Sequence, residues 1–317
     1  MTLPSFHRLV DDYLLTRRGL GFDLETPEWQ LRDFANYADR IGHSGPLTIE
    51  LAVEWAQSSR SSNPAQAVRR LAALRQFARH RALFDPATEV PPVGLLGRIA
   101  RRPPPHIYSE AEVAALLQRA SHLLPRHGLR PATYVAYFSL LVSTGLRLSE
   151  ACRLATNDVD LVNGILTIRE TKFRKSRLVP LHPTTTQALA QYADRRNACR
   201  ATRRSEYFFC TERSPRLTRA AVEKTFSRIK QRLGWNGHGR TGSPRIHDLR
   251  HTFVTRRLLC WYQEGADIDR KILALATYLG HAKVTDTYWY CTAVPELLAS
   301  SSRRFEHFVQ PDSERPS

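Results

Sequence analysis

Apolar side chains recur every three or four positions along most of this chain, the spacing that lines one face of a helix. Phe6, Leu9, Val10, Tyr13 and Leu14 predict a first helix from Phe6 to Gly21, closed by the Gly19–Gly21 region. Leu31, Phe34, Ala35 and Ala38 mark a second across residues 28–41, and Leu51, Ala52 and Trp55 a third entered at Thr48. Asn63-Pro64 reads as the cap and first turn of a fourth, Pro64 to Arg81, with Val68, Leu71, Leu74 and Phe77 inward. On that helix Arg69, Arg70, Arg75, Arg79 and Arg81 are expected to lean outward, as a solvated face or one that meets phosphate backbone.

Residues 86–105 break the pattern. Pro91-Pro92, Gly94 and Pro103-Pro104-Pro105 predict an irregular, semi-rigid connector, and Arg101-Arg102 makes it basic. The expected organisation is a helical domain over residues 1–90, a linker over 91–107 and a second domain over 108–317. Ser109 and Glu112 form a capping-box pattern for a helix over 110–121, and another helix runs from Arg130 through Leu141 to Thr144-Gly145. One clear β region follows, between Asp160 and Pro180: Ile165, Leu166 and Ile168 precede a charged turn at residues 172–175, and Leu178-Val179 follow it, as in a hairpin. Helices are expected again over 184–200 and 218–233, then a basic, glycine-rich loop over 234–243, and a last helix over 295–308. The fold class is therefore mainly α with a small β-hairpin or sheet (α+β).

Charge changes the picture next. The 317 residues carry a formal net charge of +17, with a pI near 10.2, which points to a polyanionic partner. Between Arg195 and Arg257 there are 17 Lys/Arg against 4 Asp/Glu, and arginine, whose fork matches phosphate, dominates. Cys152, Cys199, Cys210, Cys260 and Cys291 form no C-x-x-C pair and read as reduced thiols. Acidic residues interrupt the N-terminus before a signal-like apolar core forms, and the longest apolar run, around residues 134–142, is too short to span a bilayer. A cytoplasmic, nucleoid-associated protein with no membrane partner is expected.

The chemistry concentrates between Pro244 and Tyr290. Pro244 suits a helix start, and a helix from there puts His247 and Arg250 on one face. An imidazole, a fixed cation, a second imidazole at His281 and then Tyr288 and Tyr290 suit an anionic group attacked by a phenol, which reads as phosphoryl transfer on DNA. His247-Asp248-Leu249-Arg250-His251-Thr252, Leu279-Gly280-His281 and Tyr290, nine residues after His281, resemble the signature of the tyrosine recombinase, or phage integrase, family. Thr144-Gly145-Leu146-Arg147-Leu148-Ser149-Glu150 is similar to the family's first arginine box. The run from Thr171 to Leu181 is similar to the hairpin that carries its lysine. Together these cover roughly residues 108–300.

The resemblance implies a helical core-binding domain of SAM-like type at the N-terminus and a recombinase catalytic domain after it. It implies Arg147, Lys172, His247, Arg250, His281 and Tyr290 as the catalytic set, with a 3′-phosphotyrosyl intermediate. Arg147 and Arg250 would hold the non-bridging oxygens of the scissile phosphate, and His281 would donate to it. His247 is the candidate base, and Lys172 the acid for the departing 5′ oxygen. Lys175 competes with Lys172 for that place; Lys175, Arg177, Arg101 and Arg102 are otherwise expected on DNA backbone. Tyr288 competes with Tyr290, and the spacing from His281 favours Tyr290.

Neither ATP nor a metal is required, because the covalent link keeps the phosphodiester energy; no Walker loop or acidic magnesium cluster is evident. Double-stranded DNA is the expected partner, with a homodimer on a site and a tetramer in synapsis, with or without sister recombinases. In relatives a C-terminal helix often docks on the neighbouring protomer, so residues 294–317 are expected to serve assembly. Thr287-Tyr288-Trp289-Tyr290 followed by Val294-Pro295-Glu296-Leu297-Leu298 resembles recombinases of transposon type more than chromosome-dimer resolvases, which suggests integration, excision or transposition of a mobile element. Three rivals stand beside this reading. A type IB topoisomerase would share the chemistry, and an accessory DNA-binding protein would have lost it. A zinc protease would use His247 and His251, but Asp248 stands where its glutamate belongs and Arg250 lies between the ligands.

Overall fold

A computed structural model describes residues 5–22, 24–59, 64–97, 104–169, 176–203, 205–236, 243–281 and 283–293. The hairpin tip with Lys172 and Lys175, the arginine pair Arg101-Arg102 and the C-terminal helix expected over 295–308 lie outside the described residues. The chain separates into two compact units, Met1–Arg102 and Pro103–Ser317. Among the described residues no helix is long and apolar enough to cross a membrane.

The first unit consists, in its described part, of α1 (Phe6–Gly19), α2 (Glu25–Arg40), α3 (Ile49–Gln57) and α4 (Pro64–Arg81). Thr48 caps α3 by accepting from the Leu51 N–H at 3.2 Å. The core gathers Leu31, Phe34, Trp55, Leu71, Leu74 and Phe77, with Phe34 set edge-on to Trp55 at 5.4 Å. Two arginines expected to face out do not. Arg70 is buried, donates to Asp33 at 2.8 Å and lies 4.3 Å over the Trp55 ring. The same Asp33 oxygen takes the Trp55 indole N–H at 3.0 Å, so one carboxylate oxygen accepts from both groups. Arg75 turns to the carbonyls of Pro91 and Pro92, at 2.7 and 3.0 Å, which straps the proline stretch to this unit.

The second unit is built around α6 (Leu129–Thr144), whose Tyr134, Tyr137, Phe138, Leu140 and Leu141 are all buried. A helix apolar on several sides belongs in the middle of a core. Around it stand α5 (Glu110–Ser121), α7 (Leu148–Arg153), α8 (Pro183–Ala198), α9 (Arg219–Arg232), α10 (Asp248–Gln263), α11 (Ile268–Leu279) and α12 (Thr285–Ala293). Ser109 and Glu112 make the full capping box on α5. A three-stranded antiparallel sheet, β1 (Val159–Asp160), β2 (Ile165–Ile168) and β3 (Arg177–Pro180), pairs Ile168 with Arg177 at the base of the hairpin.

Tyr108 locks the start of this unit to α10. Its N–H donates to the Thr252 hydroxyl at 2.9 Å, its hydroxyl donates to the Arg245 carbonyl at 3.0 Å, and its carbonyl accepts from Arg256 at 2.9 Å. The helix expected from Pro244 begins later, at Asp248. Ile246–His247 form a turn, and the Asp248 carboxylate takes the Arg245 N–H at 2.9 Å and the Arg245 guanidinium at 2.8 Å. His247 therefore stands at the helix entrance and Arg250 in its first turn.

Candidate active site

Two glycines in left-handed conformation shape the site. Gly145 ends α6 at φ +63°, and a Cβ there would sit 2.6 Å from the Phe253 ring. The chain turns at once, so Arg147 emerges as the cap residue of α7. Glu150, three residues on, accepts from the Arg147 N–H at 2.9 Å and from its guanidinium at 2.8 Å. Gly280 ends α11 at φ +67°, and there the N–H groups of Gly280 and His281 satisfy the carbonyls of Thr277 and Ala276.

The next three carbonyls each receive a different arginine. Arg177 donates to Tyr278 at 2.8 Å, Arg250 to Leu279 at 2.9 Å and Arg147 to Gly280 at 2.8 Å. A helix C-terminus carries partial negative charge, so it tolerates this density of cations. Arg250 also reaches the Gly145 carbonyl at 2.7 Å, which ties the two glycine turns together. Burial and the neighbouring Arg147 pull its guanidinium down to about 10, so it stays charged at neutral pH.

Tyr290, on α12, packs into the same pocket and is 4% exposed. Its ring lies 5.3 Å from His251 and 6.5 Å from His281, nearly parallel to the latter, and His247 lies 5.0 Å from His251. Burial raises the phenol above its ordinary range, while the charge and hydrogen bond of Arg250 act against the rise. Burial, then Arg250 and Arg147, lower His281 to about 4. Burial and His247 lower His251 to about 4, and burial with Arg250 lowers His247. At neutral pH these imidazoles are uncharged and able to exchange a proton. The Nδ1 atom of His281 shares a 2.7 Å hydrogen bond with the Thr287 hydroxyl.

Of the residues singled out from the sequence, Arg147, His247, Arg250, His281 and Tyr290 come together here. The rival Tyr288, two positions earlier, points elsewhere: it is 41% exposed and donates to Asp269 at 3.0 Å. Two steps of helix turn a side chain by about 200°. Arg177, expected on DNA backbone, faces inward. Its side chain is 10% exposed and forks onto Glu150 at 2.8 and 3.1 Å, so the buried carboxylate holds it away from solvent. Thr287 had no assigned role; its place three residues before Tyr290, on the same helix face, is the signal that would have found it. A pocket of fixed cations and neutral imidazoles around a phenol suits a tetrahedral anion, and the Arg147 side chain, 30% exposed, opens it to solvent.

The comparisons with known proteins agree. Residues 108–296 match the Phage integrase family. A protein of Sinorhizobium fredii named as an integrase/recombinase, y4rB, is 41% identical over 96% of this chain and 98% of its own length. Tyrosine recombinase XerD of Ralstonia nicotianae is 31% identical over 88% of this chain and 87% of its own. Among solved structures, the Tn1549 transposon integrase in complex with transposon right end DNA has the same fold. The TM-score is 0.66 at 16% identity, covering 96% of this chain and all of that one (100%). The chain belongs to the phage integrase family and is a tyrosine-type site-specific recombinase, an enzyme that cleaves and rejoins DNA strands.

Proposed function

We propose that Tyr290 is the nucleophile of this recombinase. The observation that carries the reading is that its buried ring lies nearly parallel to His281 in the pocket that also holds Arg147, His247 and Arg250, and the charge of Arg250 acts to lower its phenol pKa. Arg147 and Arg250 grip the two non-bridging oxygens of the scissile phosphate and stabilise the charge that builds in the transition state. The phenol oxygen bonds to phosphorus, the bond to the 5′ oxygen breaks, and a 3′-phosphotyrosine and a free 5′ hydroxyl result. That hydroxyl attacks the phosphotyrosine of a partner strand and releases Tyr290.

His247 takes the phenolic proton, and its lowered affinity for protons keeps it neutral and ready. When the Thr287 hydroxyl donates to Nδ1 of His281, Nε2 carries the ring hydrogen and can donate it to the phosphate. Lys172 protonates the leaving oxygen, a role that rests on the resemblance of its hairpin to the family's. Lys175, Arg101 and Arg102 contact DNA backbone, and the first helical unit is a core-binding domain on the same duplex. The protein works as a dimer on each site and a tetramer in synapsis, on the ends of a mobile element.

The test is a nicked half-site suicide substrate from which the cleaved 5′ fragment diffuses away. Wild type and Tyr288→Phe accumulate covalent protein–DNA adduct, and Tyr290→Phe accumulates none. Adduct formation by Tyr290→Phe would refute the assignment.

A further inference from the structure

Arg177 has no part in the chemistry above, yet all three nitrogens of its guanidinium donate inside the site. Its two terminal nitrogens hold both oxygens of Glu150 and its Nε donates to the Tyr278 carbonyl. Glu150 also holds the backbone and side chain of Arg147, so its two oxygens take four donors, two from each arginine. Burial pushes the Glu150 carboxyl up, but the hydrogen bonds and charge of Arg177, with help from Arg147, keep it below the usual carboxylate range. Gly280 is fitted to the same group: a Cβ there would lie 2.6 Å from Nη1 of Arg177.

Two physical consequences follow from this wiring. A carboxylate with a single arginine partner would neutralise that arginine, whereas a carboxylate shared between two leaves the cluster of Arg147, Arg177 and Arg250 net positive. The fork of Arg177 also fixes where Glu150 sits, and Glu150 fixes the pose of Arg147. We infer that Arg177 is a positioning residue of the recombinase: through Glu150 and the end of α11 it holds Arg147 aimed and charged for the scissile phosphate. The inference rests on the proposed role of Arg147. It also replaces the expectation that Arg177 touches DNA.

The experiment measures single-turnover adduct formation by the full chain on two suicide substrates. One carries the ordinary scissile phosphate. The other carries a methylphosphonate there, whose missing charge makes arginine stabilisation dispensable. Arg177→Ala should slow cleavage about 10- to 100-fold on the phosphate, the scale of a misplaced catalytic group. On the methylphosphonate the defect should shrink to about threefold or less, because the interaction lost is one with the phosphate charge. Arg177→Lys, which keeps charge without the fork, should fall between and carries the same test if the alanine variant does not fold.

An equal defect on both substrates overturns the inference in favour of a purely structural role. A drop of about one in the slope of log affinity against log salt overturns it in favour of direct phosphate contact. Arg147→Ala is run in parallel. If it too shows no relief on methylphosphonate, the reading of Arg147 falls and the inference with it; if Arg147→Ala is relieved and Arg177→Ala is not, only the inference falls.

Discussion

Both units bury arginine, and Arg70 and Arg250 are used in opposite ways. Arg70, in the helical unit, meets one carboxylate and one indole face, and its charge is spent there. Arg250, in the catalytic unit, hydrogen-bonds no carboxylate among the described residues; the carbonyls of Gly145 and Leu279 receive its hydrogens. Carbonyl dipoles hold a cation in place without cancelling it, so the charge stays available to an anion that arrives later. At Arg70 a one-to-one ion pair uses arginine for architecture, and at Arg250 a dipole cradle keeps it for chemistry.

The largest effect that separates these uses is expected from Arg250→Ala, which should slow adduct formation about 1000-fold, as loss of a transition-state donor does. Single-turnover cleavage at saturating protein measures it. Arg70→Ala should leave that rate within about threefold and instead cost about 2 kcal/mol in urea unfolding, a discounted figure because Asp33 is 42% exposed. A cleavage defect in Arg70→Ala larger than its stability loss explains would erase the contrast.

Gly280→Ala comes next. Its left-handed φ costs a side chain about 1 kcal/mol, and the new Cβ displaces Arg177, so cleavage about 10-fold slower is expected. Wild-type cleavage in that variant would show that the end of α11 does not set the site. The smallest effect is on pH. His251 and His281 are held near 4 against an ordinary 6.5, so the unfolded chain binds more protons between those values. Stability is complete above pH 6.5 and is lost as pH falls toward 4. His251→Asn should flatten the fall of the thermal midpoint between pH 7 and 5, and an unchanged slope would count against a buried neutral imidazole.

Local signals were legible in the sequence. Ser109 with Glu112 announced α5, Gly145 announced the turn that frees Arg147, and the His247, Arg250, His281 and Tyr290 spacing announced one pocket. Partners distant along the chain were not legible. Arg70 and Arg177 read as surface cations because the carboxylates that claim them lie 37 and 27 residues away. The start of α10 was misread at Pro244 because Asp248 supplies a stronger stop for the preceding turn. The helix α11 was not singled out, although Ile272, Leu275, Ala276 and Leu279 follow the helical spacing and Asp267 caps it by accepting from the Arg270 N–H at 3.2 Å. The choice between Tyr288 and Tyr290 turns on α12 being helical, which sends their side chains apart.

The three carbonyls at the end of α11 act as a jig in which Arg147, Arg177 and Arg250 are indexed to the same few atoms. A designer who wished to move this phosphate grip into another scaffold would therefore gain little by transplanting arginines one at a time. The transferable part is the stub of helix with its glycine, and the guanidinium groups follow from it.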